Sequence, residues 1–276
     1  MPRASSSSFR RAEIPFFRSE SRILQRPVGY LILAVRFLTI VPVPGREATG
    51  VGALGRAAWW FPAVGLGLGA CLVAADHLFA FVFPPLLGTV LLLALWKVLT
   101  GGVHLDGLAD VLDGLAGRDA ERRIAIMRDS RIGVFGAAGL VLCLLIATGA
   151  LDALPAGRHP AVLLLAPAVG RLAPVLIGPL FPAATPGQGA GASFLEGLSP
   201  WAAPVCVPAT WILAGVLLGP WGGLVLGLAL ASVLLWAVWL ASRLGGITGD
   251  ALGSSVELGE LATLVAAAAL IHLRVL

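Results

Sequence analysis

Long apolar runs are the feature that most constrains this chain, because they leave few charged residues to face water. Hydrophobic residues make up 58% of the 276 residues and only 12% are charged, whereas about a quarter of a soluble domain is charged. A run of about 20 apolar residues can cross a bilayer as a helix, in which every backbone N–H and C=O is paired. The sequence therefore predicts an all-α, polytopic integral membrane helix bundle. It predicts about seven transmembrane helices, near 58–83, 86–103, 134–153, 160–181, 203–219, 221–242 and 259–275.

Residues 28–44 are apolar but make a poor span, because Arg36, Pro42 and Pro44 interrupt the run. We predict an interfacial or re-entrant element here, and a single membrane-embedded catalytic domain over residues 28–276.

The first 27 residues carry the chain's excess charge. Their six arginines and two glutamates equal the net charge of +4 of the whole chain. This composition is typical of a cytoplasmic arm near anionic lipid, and we expect residues 1–27 to lack stable structure. Because the rest of the chain has no net charge, we expect no nucleic-acid partner.

Three long polar stretches interrupt the apolar runs. With the N-terminus in the cytoplasm and seven spans, all three fall on the cytoplasmic side. The first is rich in arginine, which agrees with that side, since short arginine-rich loops stay cytoplasmic. We therefore predict a multi-pass protein of the cytoplasmic (inner) membrane with its site facing the cytoplasm. The stretches are 104–133, 182–200 and 243–258.

An acidic stripe follows the second predicted span. Asp106, Asp110 and Asp113 are spaced i, i+4, i+7, which places them within about 60° on one helix face. Carboxylates on an apolar helix at a membrane boundary repel one another and need a counter-charge. Mg²⁺ is the cation that binds carboxylate oxygens together with substrate phosphates. We predict that the three aspartates are metal ligands and catalytic residues; the alternative is a solvated helix face.

A mixed run of charges comes just before the next span. Arg128, Asp129, Ser130 and Arg131 supply two guanidiniums, a carboxylate and a hydroxyl. Guanidinium groups bind phosphate in a bidentate manner, so the run predicts a phosphate site. Ordinary flanking arginines on the cytoplasmic side are the alternative for Arg128 and Arg131.

A second acidic cluster begins after a glycine-rich turn. Asp250, Glu257 and Glu260 lie within about 80° of one another if the segment is helical. Thr248 is placed to cap this helix. We assign all four residues to substrate binding.

Isolated polar residues complete the candidate site. His104, two residues before the acidic stripe, is a candidate general base, although a structural histidine at a helix start is equally compatible. Arg36 and Arg171 lie in apolar runs, where an arginine is costly and usually functional or paired. Together with Arg118, which closes the acidic stretch, they are assigned to substrate binding.

The acidic stripe and the arginines, without a Cys nucleophile or a Ser-His-Asp arrangement, favour metal-assisted phosphoryl transfer.

The chain resembles the cobalamin-5′-phosphate synthase family (adenosylcobinamide-GDP ribazoletransferase). Five blocks occur in the order of the family, and together they cover about residues 30–270. Where the family often has an arginine, this chain has Ile40, and Arg36 one helical turn earlier is placed to substitute for it. The five blocks are Phe37–Pro44, Phe61–Gly69, His104–Leu115, Met127–Gly133 and Gly245–Glu260.

The resemblance implies a specific reaction. The 3′-hydroxyl of α-ribazole 5′-phosphate, or of α-ribazole, attacks adenosylcobinamide-GDP in a Mg²⁺-dependent step. GMP leaves and the nucleotide loop of cobalamin is assembled. The lipid bilayer is an expected partner, and a homo-oligomer is compatible with the sequence.

Two other interpretations stay open at the level of sequence. The first half of the acidic signature of a CDP-alcohol phosphotransferase resembles Asp110–Arg118. The glycine and the two later aspartates of that signature are not found at the expected spacing in this chain. A cation-coupled transporter would use intramembrane carboxylates as an ion path, and it predicts acids spread over membrane depth rather than two clusters.

Overall fold

A computed structural model describes residues 15–187 and 189–274 of the chain, with side chains from residue 27 onward. The described residues form twelve α-helices and four one-turn 3-10 helices, and a single isolated parallel bridge joins Ala183 to Ile247. The α-helices are α1 Pro15–Leu38, α2 Ala53–Ala57, α3 Phe61–Val82, α4 Pro85–Leu99, α5 Val103–Gly114, α6 Ala120–Met127, α7 Val134–Asp152, α8 His159–Ile177, α9 Gly189–Gly197, α10 Ala202–Leu218, α11 Gly222–Leu244 and α12 Gly249–His272.

Helix α8 lies at the centre of the bundle and is buried along most of its length. It packs against α3, α10, α11 and α12. The α3 contact is close because α3 presents glycines: a Cβ at Gly65 or Gly69 would come within 2.3 or 2.5 Å of a carbonyl oxygen of α8. Since lipid and Leu side chains are equally apolar, such close backbone packing is a main source of helix association in a bilayer. The protein is therefore an all-α, polytopic membrane protein, as predicted.

Length and composition alone give five or six candidate spans in the described chain, compared with the prediction of about seven. Five helical segments of the described chain are long and apolar enough to cross a membrane, or six if α4 and α5 count as one broken span. One of the five, Ala202–Leu244, holds two of the seven predicted spans, because α10 and α11 are separated only by a one-turn 3-10 helix and pack against each other. Helix α4, with 15 residues, is too short to qualify by itself.

The N-terminal region is more helical than predicted. Residues 15–27 were assigned to an arm without stable structure. They belong to α1, which continues through Pro27. Residues 1–14 lie outside the described residues. The apolar part of α1, Pro27–Leu38, has the length of a short apolar helix, about 18 Å against a hydrocarbon core of about 30 Å. This length agrees with an interfacial or re-entrant element.

The three predicted polar stretches meet at one end of the bundle. Helix α5 turns away from α4 by 90° and packs against α12 and α7. The bridge between Ala183 and Ile247 ties the loop after α8 to the turn before α12. The candidate site lies at this end, between the turned helix and the bundle.

Candidate active site

The acidic helix α5 borders an open polar cavity of about 460 Å³. Asp106 and Asp110 line it from α5, and Asp129 lines it from the loop after α6. The negative charge of Asp110 is repelled by those of Asp106, Asp113 and Asp250. The ion pairs of Lys97, Arg131 and Arg171 all lie elsewhere, with Glu257, Glu260 and Asp129. This acidic cavity therefore favours binding of a cation.

Asp113 has a different environment from the other two aspartates of the stripe. Its Oδ2 accepts a hydrogen bond from the N–H of Gly133 at 2.7 Å, and its Oδ1 accepts one from Gly136 at 2.8 Å. These N–H groups belong to the first turn of α7, so Asp113 caps that helix from α5. A Cβ at Gly136 would lie 2.3 Å from Oδ2 of Asp113, so the bond requires glycine there.

The structure does not bring the three predicted metal ligands to one point. Asp106 and Asp113 are seven residues apart, which separates them by about 10 Å along the helix axis. The prediction considered only their angular positions around the helix. Nowhere in the described chain do three His, Cys, Asp or Glu side chains come together as a metal site. Asp106 and Asp110 fit a Mg²⁺ ion that takes two carboxylates and substrate phosphates. The role of Asp113 as a ligand stays a prediction, and its observed bonds are those of a cap.

The polar residues of the loop after α6 lie partly in the acidic cavity and partly outside it. Arg128 and Ser130 line the acidic cavity, whereas the side chain of Arg131 is 86% exposed and lies outside it. Arg131 binds Asp129 with both Nε and Nη2, at 3.0 and 2.7 Å. These hydrogen bonds hold the pKa of Asp129 at about 2, below its ordinary value. Arg131 therefore orients Asp129.

A second cavity of about 510 Å³ lies beside the acidic one and is mostly apolar. Phe37, Phe61 and Phe194 line it together with aliphatic residues from several helices. We call it the aromatic cavity. Met127 and Arg128 line both cavities, so the two spaces meet at the end of α6. A ligand in one cavity therefore lies next to a ligand in the other.

Polar groups of the aromatic cavity come from α5 and from the start of α12. His104 is 5% exposed, and its Nδ1 has no hydrogen-bond partner among the described residues. Asp250 and Thr248 also line the cavity. Thr248 caps α12 as predicted, since its Oγ1 accepts a hydrogen bond from the N–H of Ala251 at 3.1 Å. Asp250 interacts favourably with the charge of Arg128 and unfavourably with that of Asp106.

Three residues assigned to substrate from the sequence belong instead to a buried ion network. Glu257 and Glu260 are each 3% exposed, and Arg171 is fully buried. Lys97 donates to Oε2 of Glu257 at 2.6 Å and of Glu260 at 2.8 Å, and Arg171 donates to Oε1 of Glu260. None of these side chains lines the aromatic or the acidic cavity. A buried carboxylate is stable only when it is paired, so Glu257 and Glu260 hold α4, α8 and α12 together.

Two other arginines assigned to substrate also lie outside both cavities. Arg36 donates to the carbonyls of Val43 and Gly45 and to the carboxylate of Glu47, so it stabilises the loop after α1. Arg118 is exposed, and its carbonyl accepts a hydrogen bond from Arg123. A role for either guanidinium in substrate binding stays a prediction.

Sequence reasoning missed the residues that shape the aromatic cavity. Phe194 and Thr185 come from the polar stretch 182–200, which the sequence placed on the cytoplasmic side but from which no site residue was chosen because it carries few charges. Phe61 lies in a predicted span and appeared to be an ordinary core residue. The phenylalanine in each of the first two resemblance blocks, Phe37 and Phe61, was the available signal.

A polytopic helix bundle with an acidic cavity and an apolar cavity side by side at one end is the structure of an integral membrane protein with a candidate ligand site at that end. The family model described as cobalamin-5-phosphate synthase matches residues 30–268, and the chain belongs to this family.

Similar proteins cover almost the same length. The chain is 39% identical over 235 residues to a protein of Geotalea daltonii, covering 84% of this chain and 94% of that protein. It is 42% identical over 248 residues to one of Pseudomonas paraeruginosa, covering 86% and 97%. Both are named adenosylcobinamide-GDP ribazoletransferase. No solved structure matches the chain significantly.

Proposed function

We propose that this protein transfers the adenosylcobinamide-phosphoryl group of adenosylcobinamide-GDP to α-ribazole or α-ribazole 5′-phosphate. The products are adenosylcobalamin or its 5′-phosphate and GMP. The position of the two cavities on either side of Met127 and Arg128 supports the proposal. A transfer between two large substrates needs two adjoining spaces, and membership of the family identifies the substrates. A CDP-alcohol phosphotransferase and a transporter do not account for that membership.

Magnesium is the cofactor we propose, held by Asp106 and Asp110. The acidic cavity contains three carboxylates and one guanidinium, so it would repel a diphosphate unless a cation were present. When bound, Mg²⁺ neutralises phosphate charge.

The protein's own residues bind and orient the reacting groups. Arg128, between the cavities, is placed to bind the diphosphate, as guanidinium groups do. Ser130 offers a hydroxyl in the same cavity. Such fixed positioning makes up much of the catalysis of phosphoryl transfer.

Proton transfer belongs to the aromatic cavity. The attacking hydroxyl oxygen forms a bond to the corrinoid-side phosphorus while the bond from that phosphorus to the oxygen of GMP breaks. The hydroxyl proton needs an acceptor, and His104 Nδ1 is a buried nitrogen without a partner in the described chain. A carboxylate of α5 or α12 is the other candidate base.

The cytoplasmic face of the cytoplasmic (inner) membrane is the location we propose for the site. The arginine-rich stretch 104–133 lies at the end of the bundle that carries both cavities. Nucleotide substrates are cytoplasmic, which supports the same orientation.

GMP release by the purified protein in detergent or liposomes tests this function. The assay contains adenosylcobinamide-GDP, α-ribazole 5′-phosphate and Mg²⁺, with EDTA as the metal control. We expect metal-dependent GMP and a matching corrinoid product. If well-folded protein released no GMP, the proposal would be rejected, and CDP-linked donors would be tested next. Light scattering on the same sample would give the oligomeric state.

A further inference from the structure

The aromatic cavity has a wall of stacked phenyl rings. The ring centroids of Phe37 and Phe61 are 6.2 Å apart with an interplanar angle of 20°, and those of Phe61 and Phe194 are 5.6 Å apart with 27°. Phe61 is buried in the core, whereas Phe37 retains 38% of its exposure and Phe194 only 3%. Phe37 is therefore the ring of this stack with appreciable accessible surface, and such a ring attracts a flat aromatic ligand by offset stacking.

Polar groups lie elsewhere in the lining of the same cavity. His104, Thr248 and Asp250 come from the first turns of α5 and α12 or their caps. The Nδ1 of His104 is buried and has no hydrogen-bond partner among the described residues, which is an unfavourable state for a polar atom. A ligand that offers hydroxyl groups beside these three residues would add hydrogen bonds to the site.

We infer that the aromatic cavity is the subsite of the nucleoside acceptor. This inference rests on the proposed function and adds the place of each substrate. The neutral bicyclic base of α-ribazole lies against Phe37, and its ribosyl hydroxyls lie on the side of the cavity lined by His104, Thr248 and Asp250. The diphosphate of the other substrate occupies the acidic cavity, and its corrin ring stays outside both.

Size and charge support this assignment. A volume of about 510 Å³ falls within the usual range of about 300–1,000 Å³ for pockets that bury most of a drug-sized ligand. A nucleoside is a ligand of that size, whereas a corrin ring with its amide side chains is several times larger. The diphosphate is excluded from an apolar lining by its charge, but the acidic cavity with a bound cation accepts it.

Met127 and Arg128 mark the place where the two substrates would come together. Both side chains line the two cavities, so a nucleoside in one and a diphosphate in the other meet there. Only the nucleoside would enter the bundle, and the corrinoid would approach from the membrane surface.

The test compares two wall variants with a matched control. Phe37→Ala removes the accessible ring of the stack and Phe194→Leu removes a buried ring behind it, whereas Phe81→Ala removes a phenyl ring that is 91% exposed on α3. The KM for α-ribazole and the KM for adenosylcobinamide-GDP are measured separately. Since one base–aromatic stack contributes an effect of about tenfold or more, we expect the KM for α-ribazole to rise about tenfold in Phe37→Ala and less in Phe194→Leu. The KM for the corrinoid should stay within about twofold, and Phe81→Ala should change neither.

Equilibrium dialysis of α-ribazole with the protein, without the corrinoid, separates this inference from the proposed function. We expect binding that Phe37→Ala weakens and Phe37→Tyr retains. Binding of this kind without GMP release would refute the reaction but keep the subsite. Normal GMP release with an unchanged KM for α-ribazole, or a raised KM for the corrinoid alone, would refute the subsite but keep the reaction.

Discussion

Two acidic clusters of this protein look alike in the sequence but have opposite environments. Asp106 and Asp110 of α5 line an open cavity, and the charge of Asp110 is repelled by those of Asp106, Asp113 and Asp250. Glu257 and Glu260 of α12 are buried and paired with Lys97 and Arg171, so that two positive charges balance two negative ones.

The difference shows which acids have charge available for a ligand. A buried carboxylate that already has two cationic partners gains little from a third. Carboxylates that repel each other at the edge of a cavity are stabilised by any cation that enters. We therefore propose that the α5 cluster is the functional one and that the α12 pair maintains the helix packing behind it.

The largest expected effect is on the open cluster. Asp110→Asn should lower turnover by about 10³-fold, since a catalytic metal contributes several kcal/mol and about 1.4 kcal/mol corresponds to tenfold. GMP release at saturating substrates measures the loss, and Mn²⁺ binding followed by electron paramagnetic resonance should weaken in parallel. Glu121→Gln, an exposed acid of α6, is the control. Turnover near that of the control would remove Asp110 from the site.

The buried pair should instead respond in stability. Lys97→Met leaves Glu257 and Glu260 with one cation between them, and breaking such a pair costs about 3–5 kcal/mol of the free energy of unfolding. Thermal unfolding in detergent measures the change. The double variant Lys97→Met, Glu257→Gln restores charge balance and should recover much of the loss. If the double variant were as unstable as the single one, the network would not be held by charge pairing.

Asp113 is an intermediate case, since it belongs to the open stripe but has the bonds of a cap. Asp113→Asn should reduce kcat/KM by about 10- to 100-fold, the usual effect of losing a residue that orients a site, and leave Mn²⁺ binding intact. Gly136→Ala should reproduce this loss, because a Cβ there collides with the same carboxylate. Lost Mn²⁺ binding in Asp113→Asn but not in Gly136→Ala would instead make Asp113 a metal ligand.

The smallest effects concern the two arginines of the loop. Arg128→Ala should raise the KM for adenosylcobinamide-GDP by about 10- to 100-fold, as expected for a lost hydrogen bond to a charged group. Arg131→Ala should raise it only about threefold, because its exposed ion pair with Asp129 is screened by water and contributes little. Equal changes in the two variants would mean that Arg131 also touches substrate.

The sequence by itself determined the fold class and the three stretches that form the site. Apolar runs in a chain with so little charge leave no alternative to membrane helices, since backbone groups in lipid must be paired within the helix. The spacing of Asp106 and Asp110 fixed their common face, because helical periodicity is local. Thr248 was identified as a cap for the same reason.

Only the tertiary structure decided which charged residue serves which purpose. The partners of Glu260 lie on α4 and α8, 163 and 89 residues away along the chain, and the partners of Asp113 lie on α7, 20 and 23 residues away. The aromatic cavity joins Phe37 and Phe194, which no local pattern relates. Burial and pairing arise from packing between distant segments, so the same residue types became a candidate metal site in one helix and a structural ion network in another.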